Sequence, residues 1–206
     1  MAIAESNKWI HLLPYRSMVG IQRIMIFVDG ENLAMRYKSI KENREPYDIQ
    51  EEEDIYVWPR RKFHLIQGHP NYNVIRSYYY TCVKGDEKKI NKIKEDLKLL
   101  DFQSPCVYKK IDGKSKKVDI GLCVDVLKHA SLNNFDICIL VTGDRDFVPV
   151  INAVKELGKM VVVWFFAEHI IDELIYEADH FFNLSNIFFK KDGKAPVIDG
   201  IGFYHR

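Results

Sequence analysis

Short apolar runs recur along this sequence, and segments with helical spacing of apolar residues separate them. Continuous apolar runs bounded by polar residues are typical of strands buried in a parallel sheet. The alternation predicts an α/β fold, a three-layer α/β/α sandwich around a central, mainly parallel sheet of about five strands. The predicted strands are residues 24–28, 74–83, 105–111, 136–142 and 159–165, and residues 181–184 fit a short additional edge strand.

The chain of 206 residues, with 47% hydrophobic and 29% charged residues, is typical of one globular domain. We expect this domain at residues 22–189, after an extension at 1–21 and before a tail at 190–206. Residues 41–72 are rich in charge and proline and predict an irregular insertion. A net charge of +1 indicates no partner class. No long apolar segment indicates a membrane span, and scattered cysteines without CxxC spacing favour reduced thiols and a cytoplasmic protein.

Acidic residues stand where predicted strands end. Asp29 follows the first strand, Thr142, Asp144 and Asp146 follow the fourth, and Asp119 begins the helix after the third. Ligands of parallel sheets bind beyond the carboxyl ends of the strands. If strands one and four are neighbours, these acids share one cleft, and their mutual repulsion requires a neutralising partner. Magnesium binds with one or two carboxylates plus waters, so the pattern predicts a divalent metal site.

The same residues have a structural alternative. An aspartate after a strand often caps the next helix, and both Asp119 and Asp146 fit that role. Asn32 and Thr142 fit either support of the carboxylates and metal waters or ordinary caps and turns. Four acids at matching topological positions favour a functional site over four separate caps.

Three segments resemble the NYN domain, in the LabA-like branch of the PIN-domain-like ribonuclease superfamily. They are Phe-Val-Asp-Gly-Glu-Asn-Leu (27–33), Lys-Val-Asp-Ile-Gly-Leu (117–122) and Val-Thr-Gly-Asp-Arg-Asp-Phe-Val-Pro (141–149). The resemblance covers about residues 22 to 184. It implies a PIN-like sandwich and Mg²⁺- or Mn²⁺-dependent hydrolysis of RNA phosphodiester bonds.

The resemblance also implies roles for individual residues. The catalytic, metal-binding acids it implies are Asp29, Asp119, Asp144 and Asp146. Asn32 and Thr142 match its supporting polar positions. Asp125 matches a further recurrent acid, but six residues place it about 120° around an ideal helix from Asp119. It either supports the site or holds the helix in place.

Cations near the acids predict contacts with a nucleic acid backbone, most simply single-stranded RNA, although a solvated loop explains them equally well. The candidates are Lys110, Lys114, Lys116, Lys117 and Arg145, and Lys109 lies in the same run. The basic and aromatic cluster at residues 58–64 fits either base stacking or packing. A homodimer is compatible with a chain of this size.

Other functions fit the sequence less well. A haloacid-dehalogenase-like phosphatase needs a second aspartate two residues after the nucleophile, where this chain has Glu31 after Asp29. A dinucleotide-binding protein needs Gly-x-Gly-x-x-Gly after the first strand, which is missing. A PIN-like module that binds RNA or protein with little or no cleavage remains open, because intact acids do not prove turnover.

Overall fold

The computed structural model of this chain describes residues 20–60, 71–110 and 116–195, and of Lys116 only the backbone. Most of the predicted extension, the basic part of the 58–64 cluster beyond Arg60, Lys114 and the end of the tail lie outside the described residues. Within the described ranges, no helix has the length and apolarity that crossing a bilayer requires.

Helices and strands alternate over most of the chain, as predicted. In chain order the elements are β1 (Gln22–Asp29), α1 (Gly30–Lys41), β2 (Ile49–Glu52), β3 (Tyr56–Pro59), β4 (Tyr72–Val83), α2 (Glu87–Leu99), β5 (Ser104–Lys109), α3 (Lys116–Ser131), β6 (Ile137–Val141), α4 (Val148–Glu156), β7 (Met160–Phe165), α5 (Asp172–Glu177), β8 (His180–Asn183) and α6 (Ser185–Phe188). A 3-10 turn (Arg145–Phe147) precedes α4.

Six strands form one sheet in the order β5-β4-β1-β6-β7-β8, and every neighbouring pair is parallel. The predicted α/β fold with a central parallel sheet is confirmed. The sheet has one strand more than the five main runs predicted, because the short segment at residues 180–183 pairs with β7 as an edge strand.

Alternating side chains of the strands divide the core into two layers. In β1, Ile24, Ile26 and Val28 pack with α1, α2 and α6, whereas Met25 and Phe27 pack with α3, α4 and α5. Each face of the sheet is therefore covered by helices, as a fully parallel sheet requires. Polar groups that follow the central strands consequently lie at the carboxyl end of the sheet, near the first turns of α1 and α3.

The prediction of an irregular insertion is wrong for residues 49–59, which form an antiparallel hairpin of β2 and β3. Trp58 is 2% exposed, and its ring packs edge-on against Tyr79, Phe102 and Phe188. The hairpin thus completes the core beside α1 and β4. Trp58 serves packing in this arrangement, because its ring is not accessible to a base.

Candidate active site

The central strands bring the two best-placed acidic segments together. β1 and β6 are adjacent and parallel, with Val28 opposite Val141, so Asp29 and Thr142 leave the sheet side by side. The Thr142 hydroxyl donates a hydrogen bond of 3.1 Å to Asp29 Oδ2. The shared cleft required the first and fourth predicted strands to be neighbours, and the pairing of β1 with β6 meets that condition.

Asp29, Asn32 and Thr142 form what we call the floor of the site. Asp29 is 3% exposed and caps α1, since its Oδ1 accepts the Asn32 backbone N–H at 3.3 Å. Asn32 Oδ1 accepts the backbone N–H of Gly143 at 3.0 Å, and Thr142 Oγ1 accepts that of Asp144 at 3.2 Å. These bonds fix the loop after β6 against the start of α1.

Two glycines allow the close packing behind the floor. A Cβ atom on Gly30 would lie 2.1 Å from Tyr79 Cε1, and one on Gly143 would lie 2.2 Å from Phe165 Cε1. Neither distance is sterically possible, so both positions require glycine unless the buried rings move. The Asp-Gly and Thr-Gly-Asp sequences therefore bring α1 against β4 and the β6 loop against β7.

Glu31, Asp119 and Asp146 form the mouth of the site. Asp119, in the first turn of α3, and Asp146, in the 3-10 turn, are both exposed. Partial desolvation raises the pKa of Asp119, and the carboxylates of Asp144, Glu31 and Asp146 raise it further. Carboxylates from three separate segments of the chain thus lie within electrostatic range of one another.

Burial raises the pKa of Asp29 to about 7, and the carboxylates of Asp119 and Asp144 add to the effect. The hydrogen bonds from Asn32 and Thr142 oppose the rise without cancelling it. At neutral pH a large share of this carboxyl group is therefore protonated unless a cation is bound. A proton or a metal ion would relieve the same electrostatic cost.

The capping alternative applies to different aspartates from those the sequence suggested. Asp144 caps the 3-10 turn, because its Oδ1 accepts the Asp146 backbone N–H at 3.0 Å. Asp146 does not cap α4, whose preceding residue is Phe147 and which has no side-chain cap. Asp29 and Asp144 are thus both caps and members of the acidic cluster, so the two interpretations coexist.

Glu31 belongs to the site although the sequence analysis gave it no role there. Its Oε1 accepts a bond of 3.0 Å from Lys110 Nζ, 79 residues away in sequence. Its charge also raises the pKa of Asp119. The signal was present in the sequence, because Glu31 lies two residues after Asp29 at the same strand end.

The other predicted residues are spread around the acids. Lys117 is exposed in the first turn of α3, and Lys110 reaches the site through Glu31. Arg145 turns toward α5, where it forms a 2.8 Å ion pair with Glu173. The side chain of Lys116 and all of Lys114 lie outside the described residues.

Asp125 lies six residues, about 1.7 turns, beyond Asp119 along α3. Its Oδ2 accepts a hydrogen bond of 2.7 Å from the hydroxyl of Tyr80 in β4. This bond joins α3 to the sheet below the acidic cluster. The contact matches the second of the two roles left open for Asp125, that of holding the helix in place.

The carboxylate oxygens of the site are the type of ligand that a hard cation such as Mg²⁺ prefers. Among residues 20–60, 71–110 and 116–195, no three His, Cys, Asp or Glu side chains converge closely enough to hold one metal ion between them. Mg²⁺ needs only one or two carboxylates and keeps several waters. Asp29 and Asp144 fit such a hydrated ion, since each Asp29 oxygen makes one hydrogen bond and retains accepting capacity.

The chain matches the family model described as NYN domain over residues 23–185. Its fold is similar to that of a crystal structure of a Vibrio parahaemolyticus protein of unknown function. The TM-score is 0.63 at 21% identity, over 84% of this chain and 98% of that one. A likeness at this identity shows the fold alone. No curated protein matches the chain at a significant level.

Proposed function

This chain belongs to the NYN domain family, within the PIN-like nuclease superfamily, and from that membership we propose that it is a metal-dependent ribonuclease. The observation that carries the proposal is the acidic cluster at the ends of β1 and β6. There a nearly fully buried Asp29 has a pKa raised to about 7 beside Asp119 and Asp144. Such a perturbed carboxyl group in a cluster of acids is typical of functional sites.

Asp29 and Asp144 would hold a Mg²⁺ or Mn²⁺ ion from the floor side, with Asp119 and Asp146 completing its surroundings from the mouth. When bound, the ion supplies an acidified water and offsets the negative charge that builds on a phosphate. Thr142 orients the Asp29 carboxylate through its hydroxyl. Asn32 holds the β6 loop through Gly143, which keeps Asp144 in position.

The expected substrate is single-stranded RNA in a reducing compartment such as the cytoplasm. Cys82, Cys106, Cys123 and Cys138 are all free thiols, which supports a reducing environment.

The test is cleavage of end-labelled single-stranded RNA with Mn²⁺ or Mg²⁺, compared with the same assay in EDTA. The wild-type protein is expected to cleave, and Asp144→Asn is expected to bind RNA without cleaving it. Asp192→Asn, a matched change at an exposed aspartate outside the site, should cleave like the wild type.

Equal cleavage by wild type and Asp144→Asn would defeat the proposal, because a contaminating nuclease would explain it. Absence of cleavage by the wild type with Mn²⁺ would also defeat it. RNA binding in that second case would favour the alternative of a binding module without turnover.

A further inference from the structure

Charged residues are distributed unequally on the two sides of the acidic site. One side, which we call the β4–β5 rim, follows the carboxyl ends of β4 and β5 and includes the first turns of α2 and α3. The opposite side, the β7–β8 rim, includes the 3-10 turn and the residues after β7 and β8. The described lysines of the β4–β5 rim are Lys84, Lys88, Lys109, Lys110 and Lys117; the polar residues named for the β7–β8 rim are Arg145, Glu168, Asp172, Glu173 and Asn183.

Lysines of the β4–β5 rim are mostly free to bind an anion. Four of the five are exposed and form no ion pair within the described part of the chain. The acids of this rim are Asp86 and Glu87, and Asp54 in the turn between β2 and β3 is close enough to raise the pKa of Lys110, although Asp54 itself pairs with Lys38 at 3.4 Å. Asp86 is occupied as the cap of α2, accepting the Lys89 backbone N–H at 3.0 Å. Lysine charge therefore exceeds acidic charge on this side.

On the β7–β8 rim the cations are already neutralised. Arg145 pairs with Glu173 at 2.8 Å, and Arg44 pairs with Glu168 at 2.5 Å. Asp172 adds an exposed negative charge that no ion pair offsets among the described residues. A phosphate approaching from this side meets net negative charge, so this rim repels a polyanion.

Strand pairing fixes the position of the β4–β5 rim relative to the acids. Val83 lies opposite Lys109 in the β4–β5 pair, and the Lys110 backbone N–H donates to Val83 O at 2.9 Å. Lys84 and Lys110 are thus held at the ends of adjacent strands. β4 in turn adjoins β1, with Asp29 opposite Tyr80, so Lys84 and Lys110 start four residues, about 13 Å along the strand direction, beyond the level of Asp29.

Lys110 is the contact between the rim and the acids, through its ion pair with Glu31. A phosphate can replace Glu31 as the partner of Lys110. Glu31 would then be left facing Asp119 without a counter-charge, so the arrival of RNA would strengthen the demand for a cation at the mouth.

We propose that single-stranded RNA lies across the β4–β5 rim, with its phosphates on Lys84, Lys109 and Lys110, and that the β7–β8 rim excludes it. This one-sided placement of RNA rests on the proposed ribonuclease function. It requires that RNA affinity and its salt dependence come from one side of the site only.

The test measures RNA binding by fluorescence anisotropy in the Asp144→Asn background with Mg²⁺, at several salt concentrations. Lys84→Gln combined with Lys109→Gln should weaken binding about tenfold near 0.1 M salt. It should also lower the slope of log affinity against log salt by about 0.7 for each lysine. The matched control, Lys98→Gln with Lys128→Gln, removes two lysines from the last turns of α2 and α3, at the opposite edge of the sheet. Its slope should remain that of the parent.

Equal losses in the test pair and the control pair would overturn the proposal, because binding would then follow net charge alone. A fall in slope for Arg145→Gln would overturn it as well, since RNA would then touch the β7–β8 rim. The proposed nuclease function fails separately. If the wild type does not cleave RNA but the test pair lowers the slope, the binding surface stands and the catalytic proposal does not.

Discussion

The floor and the mouth of the acidic site differ in how firmly the protein holds them. In the floor, Asp29 and Thr142 are buried, and hydrogen bonds link them to Asn32 and the β6 loop. In the mouth, Asp119 and Asp146 are open to solvent. Changes in the floor should therefore alter stability, and changes in the mouth should alter it little.

The largest change in stability is expected at Asp29, and replacing this residue should stabilise the metal-free protein at high pH. An acid whose pKa rises on folding stabilises the native state at low pH and loses that contribution as pH rises from about 4 to about 7. The free energy of unfolding of the metal-free wild type should fall by up to about 4 kcal/mol over this range from Asp29 alone. Asp29→Asn should lack this fall and be the more stable protein at pH 8.

Urea unfolding at pH 4.5 and 8 in EDTA measures the difference. Adding Mn²⁺ at pH 8 should raise the midpoint of the wild type more than that of Asp29→Asn, because the ion replaces the missing proton. A metal-free Asp29→Asn protein less stable than wild type at pH 8 would contradict the assignment of electrostatic cost to the floor.

The next effect is expected at Gly143. Its added Cβ in Gly143→Ala would lie 2.2 Å from Cε1 of Phe165, whose ring is fully buried. Overpacking of this kind should cost about 3 kcal/mol and displace the loop that holds Asp144. Chemical denaturation gives the cost, which is steric because Gly143 does not have a positive φ that would itself penalise alanine. A Gly143→Ala protein as stable as wild type would contradict the prediction, because the Phe165 ring or the β6 loop would then move aside at no cost.

A smaller loss is expected from Thr142→Val. Valine keeps the shape but removes the donor to Asp29 and the acceptor of the Asp144 N–H. The cost should be about 1–2 kcal/mol, with weaker Mn²⁺ stabilisation of the protein. Thr142→Ser retains the hydroxyl and should bind Mn²⁺ like the wild type. Equal Mn²⁺ binding by all three proteins would remove Thr142 from the site.

The smallest change in stability is expected in the mouth. Asp146→Asn alters an exposed side chain, so the free energy of unfolding should stay within about 0.5 kcal/mol of wild type. RNA cleavage should nonetheless decrease if Asp146 helps to hold the ion. A stability change as large as that of Thr142→Val would erase the distinction between floor and mouth.

The sequence alone predicted where Asp29 and Asp144 lie, because residues that end or closely follow a buried apolar strand lie at the carboxyl end of a parallel sheet. It did not locate the partner of Glu31, since ion pairs between residues 79 positions apart depend on strand order. Strand order also sets the two rims, and no local pattern encodes it. The partner of Glu31 and the positions of the two rims therefore became clear only from the strand order of the six-stranded sheet.

The sequence left base stacking and packing both open for Trp58, and it did not predict the strand to which Trp58 belongs. Tyr56, Val57 and Trp58 are all buried, so this strand lacks the alternation that marks a half-exposed one. The charged and proline-containing residues around this strand also favoured an irregular segment over a strand. Interpreting Asp146 as a cap failed for a related reason, because the short 3-10 turn moves the cap back to Asp144.

The position of β1 in the middle of the sheet has a consequence for synthesis of the chain. β1 is synthesised before its neighbour β6, and the hydrogen bond from Thr142 to Asp29 joins residues 113 positions apart. A ribosome-bound chain that ends before residue 142 holds Asp29 without Thr142 or Asp144. The acidic cluster therefore assembles only after β6 and the loop that follows it have emerged from the ribosome.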